Sequence, residues 1–518
     1  MVMHNRRYPI GIYTFEEIIN GGWMYVDKTE RVYNLVQSLP YVFLTRPRRF
    51  GKSLLVDTLK CYFEARKELF KGLKLAALET EWVRYPVLKF DMSCVNSKSI
   101  SVAKSELDNM LRKYEVEYNC SLANRSFGDR LSNIIETAHA TTGQKVVLLI
   151  DEYDTPMLEV FNDKEKLSEV RSLLMNFYGP IKICDAHLRF GFMTGITKFG
   201  IADTFGGINN LMDISMLDAY SDICGISKEE MLTQCKPDIE AMAEGLHCSY
   251  DEMVEKLTEY YDSYHFSKRS KDVFNPFSLI NAFSDKKLSY YWYNSGTPTF
   301  LFEQLKHYNT KLVELDGQRV MESIFSESIE VATSALPILY QSGYLTIKDF
   351  DQRFMQYILG YPNKEVRIGF LDALLPSVAD VPDAAKGAVL IGVTTALETG
   401  DVDAAMESIK AFISSMPYHY DNTKEADFQT IMYIIFSLLG MYVKVEVSSA
   451  QGRADAIVET SDYVYIIEYK LDKTADAALQ QIEEKHYADP YLSDPRKIVR
   501  VGMNFSSELR GLESWKMV

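Results

Sequence analysis

An α/β architecture is expected for this chain of 518 residues, and three patterns carry the expectation. Through roughly the first two hundred residues, short apolar runs alternate with amphipathic stretches, the signature of a parallel sheet wrapped by helices. Residues from about 226 to 320 and from 365 to 415 keep helical periodicity. The last hundred residues hold a second, smaller α-β-β-α order of elements.

Length alone allows roughly three or four domains of about 100 to 200 residues each. With 47% hydrophobic and 25% charged residues, large cores can form and wholesale disorder is not expected. The net charge of −16 argues against a protein that coats nucleic acid with its whole surface, so any such contact is local. Arg46-Pro-Arg-Arg49 and Lys268-Arg-Ser-Lys271 are the basic clusters, and solvated surface charge is the commoner origin of such runs. Seven scattered cysteines without a CxxC pair argue against a disulfide framework and a structural zinc site. No apolar run reaches the roughly 18 residues of a membrane span, and Met1 to Arg7 lacks the apolar region of a signal peptide. A cytoplasmic protein with no membrane partner is the expectation.

Taken in order, the strand candidates are Tyr41 to Leu44, Pro86 to Phe90, Val146 to Ile150 and Leu188 to Met193, with Ser99 to Tyr114 as an intervening helix. They define a core over residues 1–225. Residues 226–320 read as a helical lid, with Lys228 to Glu244 and Ser249 to Tyr261 periodic. Within 321–370, a helix from Thr333 to Gln341, a strand Gly343 to Ile347, a polar turn and a strand Phe354 to Leu359 resemble a winged-helix unit; a β-hairpin docked on helices is the alternative. A helical connector over 371–418, broken at Thr399-Gly-Asp401, leads to the final unit over 419–518.

Chemistry is concentrated at two places. Directly after the first strand, Arg46-Pro-Arg-Arg-Phe-Gly-Lys-Ser53 ends as a phosphate-binding loop ends. In such a loop backbone N–H groups and a helix N-terminus cradle phosphate, the lysine meets the β/γ oxygens and the hydroxyl binds Mg²⁺. Arg48, Arg49, Phe50, Gly51, Lys52, Ser53 and Leu54 are the nucleotide-contacting candidates. Arg46 stands where GxxxxGK[ST] asks for a glycine. The partner run Val146-Val-Leu-Leu-Ile-Asp-Glu152 puts acids at the carboxyl end of a buried strand, where α/β sheets bind ligands. There Asp151 would hold the metal and Glu152 would orient or deprotonate the attacking water. Thr194 and Thr197, at the end of the Leu188 strand, are candidates to touch the γ-phosphate or that water. No arginine finger is assignable.

The second place is Asp455, followed by the strand Tyr463-Val-Tyr-Ile-Ile-Glu-Tyr-Lys470, where alternation puts Glu468 and Lys470 on one face. Asp455 and Glu468 could chelate Mg²⁺ or Mn²⁺, and Lys470 could position or activate a hydrolytic water. Glu425, at the start of an apolar helix, adds an acid, and Gln481 faces the site from the following helix.

These runs resemble a bacterial AAA-ATPase-like family with a C-terminal PD-(D/E)XK nuclease-like domain. The resemblance also rests on Tyr25-Val-Asp-Lys-Thr29, Gly207-Ile-Asn-Asn210, Tyr261-Asp-Ser-Tyr-His-Phe266, Asn275-Pro-Phe277 and Gly296-Thr-Pro-Thr299. It implies a P-loop NTPase sheet with a helical lid and winged-helix-like unit, followed by a restriction-endonuclease-like α/β domain. It further implies ATP and Mg²⁺ at Lys52, Ser53, Asp151 and Glu152, and a nuclease core of Asp455, Glu468 and Lys470 assisted by Glu425 and Gln481. Arginine at the first-glycine position looks like a habit of the family. Because AAA-like sites often borrow residues from a neighbouring copy, a homo-oligomer is allowed. The expected function is ATP-regulated cleavage of DNA or RNA; the alternative is a nucleotide-gated switch that holds nucleic acid or protein without cutting.

Overall fold

The computed structural model describes residues 6–120, 125–199, 211–294, 299–379, 383–415, 425–440, 444–447 and 454–518. Two compact units emerge. The first comprises Met1–Tyr308 with Gly317–Glu365, the second Asn309–Asp316 with Val366–Val518.

The first unit is built on five strands: β1 (Tyr41–Thr45), followed by helix α1 (Lys52–Phe63), then β2 (Val87–Asp91), β3 (Val146–Asp151), β4 (Leu188–Gly195) and β5 (Met212–Asp213). Helices α2 (Ile100–Glu117), α3 (Phe127–Thr142) and α4 (Lys164–Tyr178) join them. The sheet order is β2-β3-β4-β1-β5, and every pairing is parallel. This is the parallel P-loop NTPase sheet expected from the sequence. β1 and β3 are buried along their whole length, as strands covered on both faces must be, which explains their unbroken apolar runs. Because β4 lies between β1 and β3, the carboxyl ends of all three converge. Asp57 of α1 fastens the helix by accepting from the Phe15 N–H at 2.8 Å and the Lys89 ammonium at 2.9 Å.

Beyond the sheet, β6 (Ile226–Ser227) leads into α5 (Lys228–Gln234), α6 (Lys236–Gly245) and α7 (Tyr250–Tyr261), then β7 (Val273–Phe274), α8 (Pro276–Asp285), α9 (Tyr291–Asn294) and α10 (Thr299–His307). The single helix expected over Lys228 to Glu244 is two helices. Pro237 has no N–H to continue α5 but suits the first turn of α6, so the chain breaks at Cys235.

The segment read as a wing also differs in detail. It contains β8 (Gln318–Val320), α11 (Leu336–Gln341), β9 (Thr346–Asp351) and β10 (Gln356–Gly360), with β10 pairing antiparallel to both other strands. The strand expected from Gly343 begins only at Thr346, because residues 343–345 close α11. Gly343 takes φ 89°, and the Tyr344 and Leu345 N–H groups both donate to the Leu339 carbonyl, at 2.9 and 3.1 Å. β8, three residues long, carries no alternation long enough to announce it.

Helix α12 (Lys364–Ala379) carries the chain into the second unit, which continues with α13 (Asp383–Thr399), α14 (Val402–Ser414), α15 (Glu425–Leu439), β11 (Lys444–Val447), β12 (Ala456–Glu459), β13 (Tyr463–Leu471), α16 (Ala475–Glu484), β14 (Lys497–Ser506) and β15 (Gly511–Met517). The sheet order follows the chain, and only β13 and β14 are parallel, with α16 as their crossover. α16 lies so close to the sheet that a Cβ on Gly502 would sit 2.3 Å from the Ala475 carbonyl oxygen. Among the described residues no helix is long and apolar enough to cross a membrane.

One buried acid gives the first unit a pH signature. Glu365, fully buried at the start of α12, accepts from the Trp292 N–H at 2.6 Å, and burial pushes its carboxyl up to about 8 from the ordinary 4.5. Between those values the folded chain keeps a proton that the unfolded chain releases, so stability falls as pH rises from about 4.5 to about 8 and then levels off. Glu365→Gln keeps the acceptor and removes this slope. Thermal melts should show the variant several degrees more stable than wild type at pH 7.5 but close to it at pH 5; an equal gap at both values would contradict the assignment.

Candidate nucleotide and metal sites

The loop after β1 turns into α1 through Gly51, whose φ of 91° is costly for any residue with a Cβ. Lys52, the first residue of α1, is buried and donates from Nζ to the Arg46 and Pro47 carbonyls, each at 3.0 Å. Burial pushes its ammonium down, and the charges of Glu152, Asp151 and Asp154 oppose that. Ser53 hydrogen-bonds to Asp151, whose carboxyl burial raises to about 6 while Ser53 and Lys52 pull it back. Glu152 follows at φ 50° and accepts from the Thr155 hydroxyl at 3.1 Å. A non-glycine residue in this region, at the carboxyl end of a central strand, is the kind of local strain that collects at functional sites. Lys52, Ser53, Asp151 and Glu152 are thus gathered at one edge of the sheet, and the hydroxyl and carboxylate oxygens of Ser53 and Asp151 are the hard donors that suit Mg²⁺.

The remaining loop candidates divide. Arg48 and Arg49 are exposed, with the Arg49 guanidinium 4.9 Å over the Phe277 ring. The Phe50 ring is buried edge-on against Tyr264 and Phe266, leaving only its backbone for a ligand. Leu54 lines an apolar cavity of about 100 Å³ beside Gly51, walled by Tyr25, Val26, Ile223, Ile226 and Ile280. The family-like run around Tyr25 marked one wall in the sequence; Ile223 and Ile226 carried no signal.

Thr194 and Thr197 are engaged within the fold. Both are fully buried, and their hydroxyls donate at 2.7 Å to the Leu44 carbonyl and to Asp154 Oδ2. They tie β4 to β1 and to the turn after β3, and these bonds occupy the hydroxyl protons expected to reach a phosphate. Asp154, three residues beyond the end of β3, organises this turn. Its Oδ2 also accepts from the Ile196 and Thr197 N–H groups at 3.0 and 2.7 Å, while its buried Oδ1 has no hydrogen bond among the described residues. Gly195 is required there, since a Cβ would meet that Oδ1 at 2.3 Å.

Arg46 explains the missing glycine. Its side chain turns away from the cradle into the protein, where it is 1% exposed. Nη1 donates to the Thr45 and Ser215 carbonyls at 2.9 and 2.8 Å, Nη2 to Tyr220 and Ser221 at 3.2 and 3.4 Å, and the guanidinium lies 4.1 Å from the Phe266 ring centre. Burial lowers its pKa, yet five donors on a planar fork let one cation satisfy several carbonyls at once.

In the second unit, Asp455 immediately precedes β12, and the pairing of Ala456 with Ile467 sets it opposite Glu468 on β13. Asp455 accepts from the Tyr469 N–H at 2.9 Å, and its own backbone bonds to Glu468. Glu468 is 2% exposed; burial raises its pKa, and Lys470 opposes that with an ion pair of 2.7 Å to Oε1. Gln481 of α16 donates to the same oxygen, whereas the buried Oε2 has no hydrogen bond among the described residues. Asp455, Glu468, Lys470 and Gln481 therefore come together as expected from their spacing, and an unclaimed carboxylate oxygen beside a second carboxylate fits a hard divalent cation such as Mg²⁺ or Mn²⁺. Glu425 opens α15, but its side chain lies outside the described residues, as do Gly207 to Asn210 and most of Gly296 to Thr299. Among the described residues no group of three or more His, Cys, Asp or Glu is placed to hold a metal.

The role of Arg46 is open to test. Arg46→Gly, which restores the glycine of the phosphate-loop pattern, should destabilise the first unit by roughly 2–5 kcal/mol in denaturant unfolding, because the carbonyls it serves are left bare. Arg46→Lys should recover little of this, since one ammonium cannot span them. A neutral Arg46→Gly variant would refute the anchor.

Two segments of the chain match known protein families. Residues 9–205 match the family described as predicted AAA-ATPase, and residues 423–515 match the PD-(D/E)XK nuclease superfamily. The chain is 32% identical over 524 aligned positions, covering 98% of each chain, to an uncharacterized protein of the vnfD 5′ region of Azotobacter chroococcum mcd 1. No solved structure matches. The phosphate loop and its acids on a parallel sheet, and the paired carboxylates of the mixed sheet, fall within these two matched segments: the chain belongs to a family of predicted AAA-ATPases that carry a C-terminal PD-(D/E)XK nuclease superfamily domain.

Proposed function

We propose that this protein binds and hydrolyses ATP at its phosphate loop and uses that cycle to control metal-dependent cleavage of DNA or RNA by its C-terminal domain. Support for the nuclease half rests on one observation above others: among the described residues Glu468 keeps a buried carboxylate oxygen without a hydrogen bond next to Asp455, while Lys470 and Gln481 hold the other oxygen. Buried carboxylate oxygens are usually hydrogen-bonded, and this one stands beside a second carboxylate, which supports a cation as its partner. In this reading Asp455 and Glu468 hold Mg²⁺ or Mn²⁺, which supplies Lewis acidity and a water of lowered pKa. Lys470 places its ammonium where it can orient that water, and Gln481 keeps Glu468 in its rotamer.

At the first site, Lys52 leaves the Arg46 and Pro47 carbonyls for the phosphates, Ser53 and Asp151 hold Mg²⁺, and Glu152 orients the attacking water. The apolar cavity beside Gly51 and Leu54 receives the adenine ring, with Val26, Ile223 and Ile226 as its walls. A cytoplasmic location and assembly with further copies accord with this reading.

Lys52→Ala should weaken binding of a fluorescent ATP analogue by about 100-fold or more, as the lysine's charge-assisted bonds to phosphate are lost. Asp455→Ala and Glu468→Gln should each cut Mn²⁺-dependent cleavage of DNA or RNA by about 100-fold while ATP turnover persists. Cleavage by wild type that is the same with and without ATP would refute control by the nucleotide. Absence of cleavage on every single- and double-stranded substrate would refute the nuclease itself.

A further inference from the structure

The outer side of the phosphate loop is gripped by residues from beyond the core. The Trp292 indole Nε1 donates to the Arg48 carbonyl at 3.0 Å, and the Trp292 backbone N–H donates to Glu365 Oε1 at 2.6 Å. Trp292 is 6% exposed and Glu365 fully buried, so both bonds are shielded from water. The Trp292 ring packs edge-on against Tyr344 at 5.1 Å, directly after Gly343. A Cβ on Gly343 would meet Pro47 of the loop at 2.6 Å, which shows how closely the two segments approach. Glu365 is the second residue of α12, the helix along which the chain leaves this unit.

We propose that Trp292 and Glu365 form a clamp that positions the phosphate loop and reports its occupancy by nucleotide to the first turn of α12. Trp292 is a positioning residue acting through the Arg48 carbonyl, and Glu365 acts through Trp292. The clamp rests on the ATP-binding reading above. Lys52 now satisfies the carbonyls of Arg46 and Pro47, the two residues before Arg48. Phosphate that draws Lys52 away frees both carbonyls, and the loop backbone must readjust within a segment already held at Arg48. A bond made better in one loop arrangement than the other shifts the population between them, and by linkage the same difference appears in nucleotide affinity. The deeply buried clamp thus couples the loop to the start of α12 without any residue touching the nucleotide.

The test uses the full-length protein. With Trp23, Trp82 and Trp515 replaced by Phe, the remaining Trp292 should change its emission on titration with ATP·Mg²⁺, in step with binding measured independently by equilibrium dialysis of labelled ATP. Trp292→Phe keeps an aromatic ring and loses the N–H; it should raise the KM for ATP about 5- to 30-fold with a smaller change in kcat. Glu365→Ala should do the same, and Glu365→Gln, which retains an acceptor for the Trp292 N–H, should restore affinity to within about twofold of wild type. Circular dichroism melts identify variants that are folded at the assay temperature, and the emission titration of the single-tryptophan protein decides the matter if Trp292→Phe does not fold. ATP binding that leaves Trp292 emission unchanged, or folded Trp292→Phe and Glu365→Ala proteins with wild-type KM, would overturn the clamp while leaving ATP binding intact. A wild-type protein that binds no ATP in dialysis would overturn the nucleotide reading and the clamp with it.

Discussion

A single buried guanidinium fastens the functional edge of the first unit. Arg46 reaches carbonyls from the end of β1 and from residues 215, 220 and 221, lies against Phe266, and through its own N–H joins Gly195 at the end of β4 at 3.3 Å. Such a charge is expensive to desolvate, and both terminal nitrogens are bonded while the buried Nε has no hydrogen bond among the described residues, so the carbonyls that Nη1 and Nη2 serve are held to one arrangement. The loop from Pro47 to Gly51 is therefore suspended from a rigid point at Arg46 and ends at the first turn of α1. Loop geometry that other sequences could derive from a flexible glycine is here imposed by the surrounding carbonyls.

Both candidate sites follow a common physical plan. Each collects charges that the fold has buried and only partly satisfied from within: Lys52 with the carbonyls of Arg46 and Pro47, Asp151 with Ser53, Glu468 with Lys470 and Gln481. Burial moves Lys52 toward its neutral form and Asp151 and Glu468 toward theirs, which is the electrostatic condition of a site that gains stability from an added ion of the right sign. Asp154 differs from these. It takes three hydrogen bonds from its neighbours and spends its charge on shape, tying the turn after β3 to the residues that follow β4 while the adjacent acids remain available.

Elements whose signal is local were legible. The strands β1, β3 and β4 sit within one or two residues of their apolar runs; Lys52, Ser53 and Asp151 gather within the first unit, and Asp455, Glu468, Lys470 and Gln481 gather separately within the second. Elements whose signal is not local were misread. The strand start at Thr346 depends on how Gly343 closes a helix, and the β8 strand exists only because β10 offers it an edge. Thr194 and Thr197 carry hydroxyls suited to phosphate, but which acceptor a hydroxyl meets depends on the packing of β1 and Asp154 around it.

The sequence by itself determined the N-terminal parallel sheet and the smaller C-terminal α/β fold, the phosphate loop with its acidic strand, and the carboxylate pair with its lysine, since each is written in residues close along the chain or at strand periodicity. Tertiary structure alone decided that Arg46 is an anchor and that Trp292 and Glu365 reach the loop. Those roles rest on hydrogen bonds between residues up to 244 positions apart, and only folding, by bringing carbonyls and donors together out of water, assigns each its partner.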